Sequence, residues 1–130
     1  MERFTLKKEE RLCSRIIIEK LFSEGESFLS YPMKVVMLKT PLDSSFPVQS
    51  SFSVSKRNFK KAVWRNLIKR RMREAFRLNK NDLYEILKTE NIQLAIMFVF
   101  IGKEIPDYRE IEKGMRNAIY KIRKDQIRRK

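Results

Sequence analysis

The chain has 130 residues, 42% hydrophobic and 35% charged, a composition typical of one globular domain rather than of a disordered protein. Its 30 lysines and arginines outnumber its 16 acidic residues and give a formal net charge of +14. Histidine is absent, Cys13 is the single cysteine, and only three glycines occur. These counts exclude an internal disulfide, the usual Cys/His zinc sites, histidine-dependent triads and a glycine-rich phosphate loop. Binding is therefore favoured over side-chain catalysis.

We expect a cytoplasmic protein. A lone cysteine fits a reducing compartment, and the N-terminus lacks the apolar stretch and small residues of a signal peptide. The longest apolar run, Leu94 to Ile101, is far too short to cross a bilayer.

The first predicted elements are a helix and two strands. Ser14 is a suitable N-cap for a helix that runs to about Ser23, and Gly25 fits its C-terminal stop. Residues 31–39 alternate well enough for a strand, and a turn rich in Pro and Ser follows. Residues 46–54 form the next strand, so we expect these two strands to pair as a β-hairpin.

The most informative segment is 56–77, in which ten of 22 residues are Lys or Arg and only Glu74 is acidic. A helix is predicted from about Ala62 to Leu78. At 100° per residue, one arc of about 140° holds six polar side chains, Arg65, Asn66, Lys69, Arg70, Arg73 and Arg77. The rest of the circumference is mostly apolar, interrupted by Arg71, so one face can pack on a sheet while the other presents cations. Such a density of cations predicts a nucleic-acid partner.

Two apolar residues at the start of this helix, Val63 and Trp64, belong to the face assigned to packing. For Trp64 we expect core or edge packing, and an exposed indole would instead be able to stack on a base.

The C-terminal third predicts a short helix at 82–88, a strand in the continuous apolar run 93–101, and a last helix that begins after Pro106. The predicted fold is an α+β two-layer sandwich, a small mixed β-sheet with helices packed on it, in the order α-β-β-(β)-α-β-α. We assign 1–123 to one domain and 124–130 to a short basic tail.

The spacing of the basic segment resembles that of the protein subunit of bacterial ribonuclease P. A strand ending in Ser53-Val54-Ser55-Lys56-Arg57 precedes a helix that carries Arg65-Asn66-Leu67-Ile68-Lys69-Arg70 and Arg73-Glu74. The resemblance covers nearly the whole chain, from Leu6-Lys7-Lys8 and the Leu21-Phe22 end of the first helix to the last strand and helix. Leu67, where Arg is common in the family, and Ser51, often Gly, depart from the pattern.

The resemblance implies a function. It indicates a ribonucleoprotein endonuclease that removes the 5′ leader of precursor tRNA, in which the RNA subunit with bound Mg2+ carries the chemistry and the protein is a non-catalytic accessory. Its partners would be the catalytic RNA, bound 1:1, and precursor tRNA, with no membrane. It also implies a left-handed βαβ crossover, an exception to the usual right-handed connection.

The resemblance further implies two groups of site residues. The RNA-facing group comprises Lys56, Arg57, Lys60, Lys61, Arg65, Asn66, Lys69, Arg70 and Arg73. A cleft between the first helix and the open face of the sheet would take the leader, with Ile18, Phe22 and Met37 as its lining. No catalytic residue and no protein metal ligand are expected. Glu9, Glu10 and Glu19 would either touch hydrated metal ions bound with the RNA or form ordinary charge pairs.

Two other functions compete with this interpretation. A structural RNA-binding protein of ribosomal type would carry the same cationic helix. A membrane-surface or partner-binding helix is disfavoured because its apolar side is needed for the core. The charges at Arg128, Arg129 and Lys130 are explained by a solvated surface.

Overall fold

The computed structural model describes the backbone of residues 7–128 and the side chains of residues 7–126. Leu6, Arg129 and Lys130 lie outside the described residues. A short 3₁₀ helix at Lys8–Glu10 precedes the regular elements. These are α1 (Arg15–Glu24), β1 (Glu26–Ser30), β2 (Met33–Lys39), β3 (Val48–Val54), α2 (Ala62–Asn79), α3 (Asn81–Glu90), β4 (Leu94–Phe100) and α4 (Tyr108–Arg128).

The helices follow the sequence signals closely. The Ser14 hydroxyl accepts a hydrogen bond from the Ile17 amide at 3.3 Å, the N-cap that the sequence predicts. The bounds of α2 and β4 lie within one residue of those predicted. Helix α4 continues through residue 123, the predicted domain boundary, and reaches Arg128. The boundary itself stays a prediction.

The four strands form one mixed sheet in the order β1-β2-β4-β3. Strand β2 is antiparallel to both β1 and β4, whereas β3 and β4 are parallel. The predicted hairpin between β2 and β3 is therefore wrong, because β4 lies between them. The reason is apolarity: β4 is buried along nearly its whole length and belongs in the centre of a sheet covered on both faces.

The hairpin that does form joins β2 to β1. The predicted order allowed for a further strand before the basic helix but did not place one at these residues. Strand β1 is only five residues long, and three of them are exposed, so its apolar signal is weak. Its turn packs closely against α4, where the Ser30 hydroxyl donates to the Gly114 carbonyl at 2.8 Å. A Cβ at Gly114 would lie 2.6 Å from the Tyr31 carbonyl oxygen, so only glycine permits this approach.

The parallel pairing of β3 and β4 requires a crossover connection, which α2 and α3 supply. These helices pack with α4 on one face of the sheet and enclose the larger apolar cluster, centred on residues such as Phe76, Phe98 and Phe100. The mixed α+β architecture is thus as predicted. The hand of the crossover stays a prediction.

Helix α1 lies on the opposite face of the sheet. It packs on β2 and β4, and its Leu21 is 1% exposed in a smaller apolar cluster with Leu12, Ala95 and Met97. The two faces of the sheet therefore differ: one is closed by three helices, and the other carries a single helix.

The N-terminal segment is anchored by a buried ion pair. The Glu10 carboxylate, 1% exposed, accepts hydrogen bonds from the Lys80 ammonium at 2.5 Å and the Tyr84 hydroxyl at 2.6 Å. Burial, and next the hydrogen bond to Glu10, raise the pKa of Tyr84. A single polar cluster thus ties the start of the described chain to the junction of α2 and α3.

The same segment lies along the outer edge of β3. The Leu12 amide donates to the Ser50 carbonyl at 2.9 Å, and the Gln49 side-chain amide donates to the Glu9 carbonyl at 3.2 Å. Backbone groups that an edge strand would otherwise leave open are therefore partly satisfied within the chain.

Candidate nucleic-acid interface

Helix α2 separates its apolar and cationic residues as predicted. Ile68, Met72, Ala75 and Phe76 are each 0% exposed and face the sheet. On the other side, a set of residues that we call the α2 face reaches solvent: Asn66, Lys69, Arg70 and Arg73. Lys69 is half-buried and the other three are exposed. Packing of the apolar side fixes which way the cations point.

The loop that precedes α2 carries a second group of cations. In this basic loop, residues 55–61, all four cationic side chains are exposed, those of Lys56, Arg57, Lys60 and Lys61. The Ser55 hydroxyl accepts from the Arg57 amide at 3.1 Å, and Phe59 inserts into the core with its ring 5.9 Å from that of Phe100. A buried aromatic residue therefore holds a strongly charged loop at the end of β3.

Arg65 connects the loop to the helix. Its Nη1 donates to the carbonyls of Phe59 and Lys60, each at 2.7 Å, so the guanidinium spans the turn that enters α2. Half-buried Arg65 thus positions the other cations besides contributing its own charge. Its spacing in the helix gives no sign of this role, because the acceptors are backbone carbonyls.

None of the nine cationic or amide residues predicted to face RNA forms an ion pair with a carboxylate of the described chain. Arg73 instead lies over the ring of Phe52, with its guanidinium carbon 5.8 Å from the ring centroid. Two other arginines of α2 are used internally: Arg77 pairs with Glu74, and Arg71 donates to the Pro106 carbonyl. The structure therefore separates cations that hold the fold from cations left to solvent.

Two residues assigned to the apolar side of α2 are more exposed than predicted. Val63 is 61% exposed and Trp64 is 41% exposed. Both lie in the first turn of α2, beyond the region where Ile68 and later residues meet the core. The prediction is wrong for Val63. Trp64 is also exposed, the case for which the sequence predicts an indole able to stack on a base, and that stacking stays a prediction.

The predicted leader cleft needs one correction. Ile18 is half-buried against the smaller cluster, and Phe22 is 73% exposed one turn later on α1. Met37, in contrast, is 5% exposed in the larger cluster, on the face of the sheet away from α1. Because side chains alternate along a strand, the neighbours Val36 and Leu38 are the ones that face α1. Met37 therefore does not line this cleft.

The part of the sheet that α1 leaves most open is a row at one end. Strand register places Leu29, Lys34, Val99 and Ser53 side by side on the α1 face. Leu29 and Lys34 are exposed, and Val99 and Ser53 are half-buried. The row ends two residues before the basic loop, so an extended strand lying across it would meet those cations.

Comparison with known proteins decides the family. The family model for ribonuclease P matches residues 6–123. A ribonuclease P protein component of Porphyromonas gingivalis is 40% identical over 122 residues, covering 92% of this chain and 87% of the relative. One from Chlorobium phaeobacteroides is 30% identical, covering 95% of this chain and 91% of the relative. The chain belongs to the ribonuclease P protein family.

Solved structures of ribonuclease P proteins share the fold. The Thermotoga maritima protein, determined with 1-(4-fluorophenyl)-2-thiourea, aligns with a TM-score of 0.65 at 24% identity, covering 84% of this chain and 96% of that one. The Staphylococcus aureus protein aligns with a TM-score of 0.63 at 21% identity, covering 88% and 95%. We call the cleft between Ile18 and Phe22 of α1 and the open row of the sheet (Leu29, Lys34, Val99 and Ser53) the α1 cleft. The α2 face and the α1 cleft both lie on a ribonuclease P protein fold.

Family membership gives the chain its role as the protein component of ribonuclease P, an endoribonuclease complex that includes an RNA. Of the three carboxylates considered as metal contacts, Glu10 is used in the buried ion pair, while Glu9 and Glu19 are exposed. Among residues 7–128, no cluster of acidic or cysteine side chains is arranged to hold a metal ion. No helix in that range is long and apolar enough to span a membrane.

Proposed function

We propose that this protein binds the ribonuclease P RNA through the α2 face and the basic loop, and the 5′ leader of precursor tRNA through the α1 cleft. The observation that carries the proposal is a group of cations without carboxylate partners, held outward by a helix whose opposite side is 0% exposed. Exposed cations fixed in this way repel one another, and phosphates relieve that repulsion.

The side chains suit different contacts. Arg70 and Arg73 can each fork two donors onto phosphate oxygens, whereas Lys69 offers a compact point charge. Asn66, between them on the same face, is suited to orient a base or sugar rather than to add charge. Together they favour recognition of a folded RNA over catalysis by side chains.

The rest of the proposal follows if the protein recognises RNA and does not itself catalyse the reaction. The RNA subunit, with Mg2+, performs the hydrolysis, and the protein assists by holding RNA and leader near each other in a 1:1 cytoplasmic complex. Purified protein freed of RNA should cleave no precursor tRNA. With the ribonuclease P RNA of Porphyromonas gingivalis as probe, it should lower the Mg2+ concentration needed for cleavage. Cleavage by the protein alone would contradict this division of labour.

The α2 face is tested by Lys69→Ala combined with Arg70→Ala. Each lost phosphate contact should reduce the slope of log K against log salt by about one unit, so the double variant should lose about two. The matched control is Lys39→Ala with Lys88→Ala, which removes the same charge from exposed positions near the opposite end of the sheet. If the two double variants have equal slopes of log K against log salt, the α2 face does not contact the RNA.

The cleft is tested by Phe22→Ala. A base stacked on an aromatic ring contributes about 1–3 kcal/mol, so precursor tRNA should bind about fivefold or more weakly while mature tRNA is unaffected. Ile16→Ala is the control, because Ile16 is 69% exposed on a different side of α1. Equal weakening of precursor and mature tRNA would place the leader elsewhere.

A ribosomal-type RNA-binding protein is the alternative that the family comparison disfavours. RNA recovered with the native protein distinguishes the two: a single RNA of a few hundred nucleotides supports the proposal, and ribosomal RNA contradicts it.

A further inference from the structure

A second cationic surface lies on the outer side of α4. In this surface, which we call the α4 face, five side chains point away from the core: Arg109, Lys113, Arg116, Tyr120 and Lys124. They recur every three or four residues, so they form a strip about 22 Å long at 1.5 Å per residue. The opposite side of α4 is buried, with Ile111, Met115 and Ile122 each 0% exposed.

Of the carboxylates near this strip, Glu110 is exposed in the first turn of α4, and the others have partners. Glu112 pairs with Arg116 at 3.6 Å, and on the neighbouring helix Glu74 pairs with Arg77. Asp125 accepts a hydrogen bond from the Gln126 side-chain amide at 3.3 Å. Arg109, Lys113 and Lys124, in contrast, form no ion pair with any described carboxylate. The field above the strip is therefore positive.

The α4 face lies on the helix next to the one that carries the α2 face. Helices α2 and α4 pack against each other on the same face of the sheet. Arg71 of α2 donates a hydrogen bond to the carbonyl of Pro106, two residues before α4 begins. The two faces therefore belong to neighbouring helices on one side of the sheet.

The charge is segregated rather than spread evenly over the surface. Helix α3 carries three acidic residues and one lysine, whereas α4 carries seven Lys or Arg and three acidic residues. A surface pocket at the same end of the sheet as the C-terminus of α3 is lined by three carboxylates, those of Glu24, Glu26 and Glu90, and by one cation, Lys39. A polyanion would therefore be attracted to the α2 and α4 side more than to this end.

We propose that the α4 face binds the phosphate backbone of a folded RNA, as a second contact beside the α2 face. The inference rests on the proposed function, since it assigns the same RNA a wider footprint. Tyr120, 54% exposed with the Lys124 ammonium 5.1 Å from its ring centroid, adds an aromatic surface suited to nucleotides. Apart from that ring the strip is polar, which disfavours insertion into a lipid surface.

The test compares two triple variants of the full chain in binding to the ribonuclease P RNA of Porphyromonas gingivalis. The first is Arg109→Gln, Lys113→Gln and Lys124→Gln on the α4 face. The second is Lys20→Gln, Lys39→Gln and Lys88→Gln, which removes the same charge from exposed positions elsewhere. If the α4 face binds phosphates, the first variant should lose about two to three units of salt slope and about tenfold or more in affinity. The second should lose much less.

Four outcomes are informative. A selective loss in the first variant, with an unfolding midpoint like that of the second, supports the α4 contact. Equal losses in both variants would overturn it, because the α4 face would then contribute no more than the net positive charge of the protein. If neither these variants nor the Lys69 and Arg70 double variant changes binding, the proposed function fails as well. Loss in the α2 double variant alone would leave the proposed function standing and refute only the α4 contact.

Discussion

The middle of helix α2 and the residue that follows its C-terminus use the same kind of side chain for opposite purposes. Lys69 and Arg70, near the middle, point outward and meet no carboxylate, whereas Lys80, the cap that joins α2 to α3, is 3% exposed and pairs with Glu10. The difference does not lie in the amino acid or in its spacing along the helix. It lies in whether a distant carboxylate is carried to the same place by the fold.

The comparison separates stability from binding. Removing the partner of a buried charge leaves that charge without compensation, whereas removing an exposed cation costs the folded state little. Variants at Lys80 or its partners should therefore act on unfolding, and variants on the α2 face should act on RNA. Each of the following changes tests where that division lies.

The largest expected effect is that of Glu10→Ala. It takes the Glu10 carboxylate away from the buried Lys80 ammonium and removes the acceptor of the Tyr84 hydroxyl, which should lower the free energy of unfolding by about 3–5 kcal/mol. Denaturant unfolding measures the loss. The double variant Glu10→Leu with Lys80→Met replaces the ion pair by apolar groups of similar volume and should recover most of the stability. A double variant as unstable as Glu10→Ala would mean that the pair itself, rather than the unpaired charge, matters.

An intermediate effect is expected at Arg65, because this residue both holds the basic loop against α2 and adds a cation to the predicted RNA-binding surface. Arg65→Lys keeps the charge but loses the guanidinium nitrogen that reaches two carbonyls, at a cost of about 1 kcal/mol. Amide hydrogen exchange in residues 56–61 should accelerate, since the loop loses its link to α2. Arg70→Lys, an exposed change of the same kind, should leave exchange unaltered. Unchanged exchange in both variants would make Arg65 a plain surface cation.

The smallest effect concerns pH. Because the pKa of Tyr84 is raised in the folded state, its contribution to stability is full below the ordinary tyrosine pKa of about 10 and falls as pH rises above it. Wild-type protein should therefore lose stability more steeply than Tyr84→Phe between about pH 9 and 11. Unfolding midpoints across that range provide the measurement. Parallel curves would exclude Tyr84 as the titrating group.

Much of the fold was predictable because the relevant signals are local. The apolar positions of α2 recur at helical spacing, Ser14 caps α1, and the run from Leu94 to Phe100 is short, apolar and rich in β-prone residues, which favours a buried strand. The order of the strands was not predictable in this way. Placing β4 between β2 and β3 depends on packing between segments some 40 or more residues apart, which neighbouring residues do not report.

The same distinction between local signals and long-range packing applies to the candidate site. The cations of the α2 face could be predicted because helix geometry alone brings them together. The face of the sheet on which Met37 lies could not be predicted. Alternation along a strand defines two sets of side chains, but it does not indicate which set is covered by α1. Arg65 and Lys80 depend on a backbone turn and a distant carboxylate, which leave no trace in local spacing.

The placement of the N-terminal segment has a consequence for solubility. Strand β3, Val-Gln-Ser-Ser-Phe-Ser-Val, is uncharged and β-prone, and its outer edge is partly covered by the chain around Leu12. An uncovered edge of this composition is a template for intermolecular strand pairing. By fastening the chain at Glu10, the buried lysine shields that edge and discourages aggregation in a protein that must also remain free to meet its RNA.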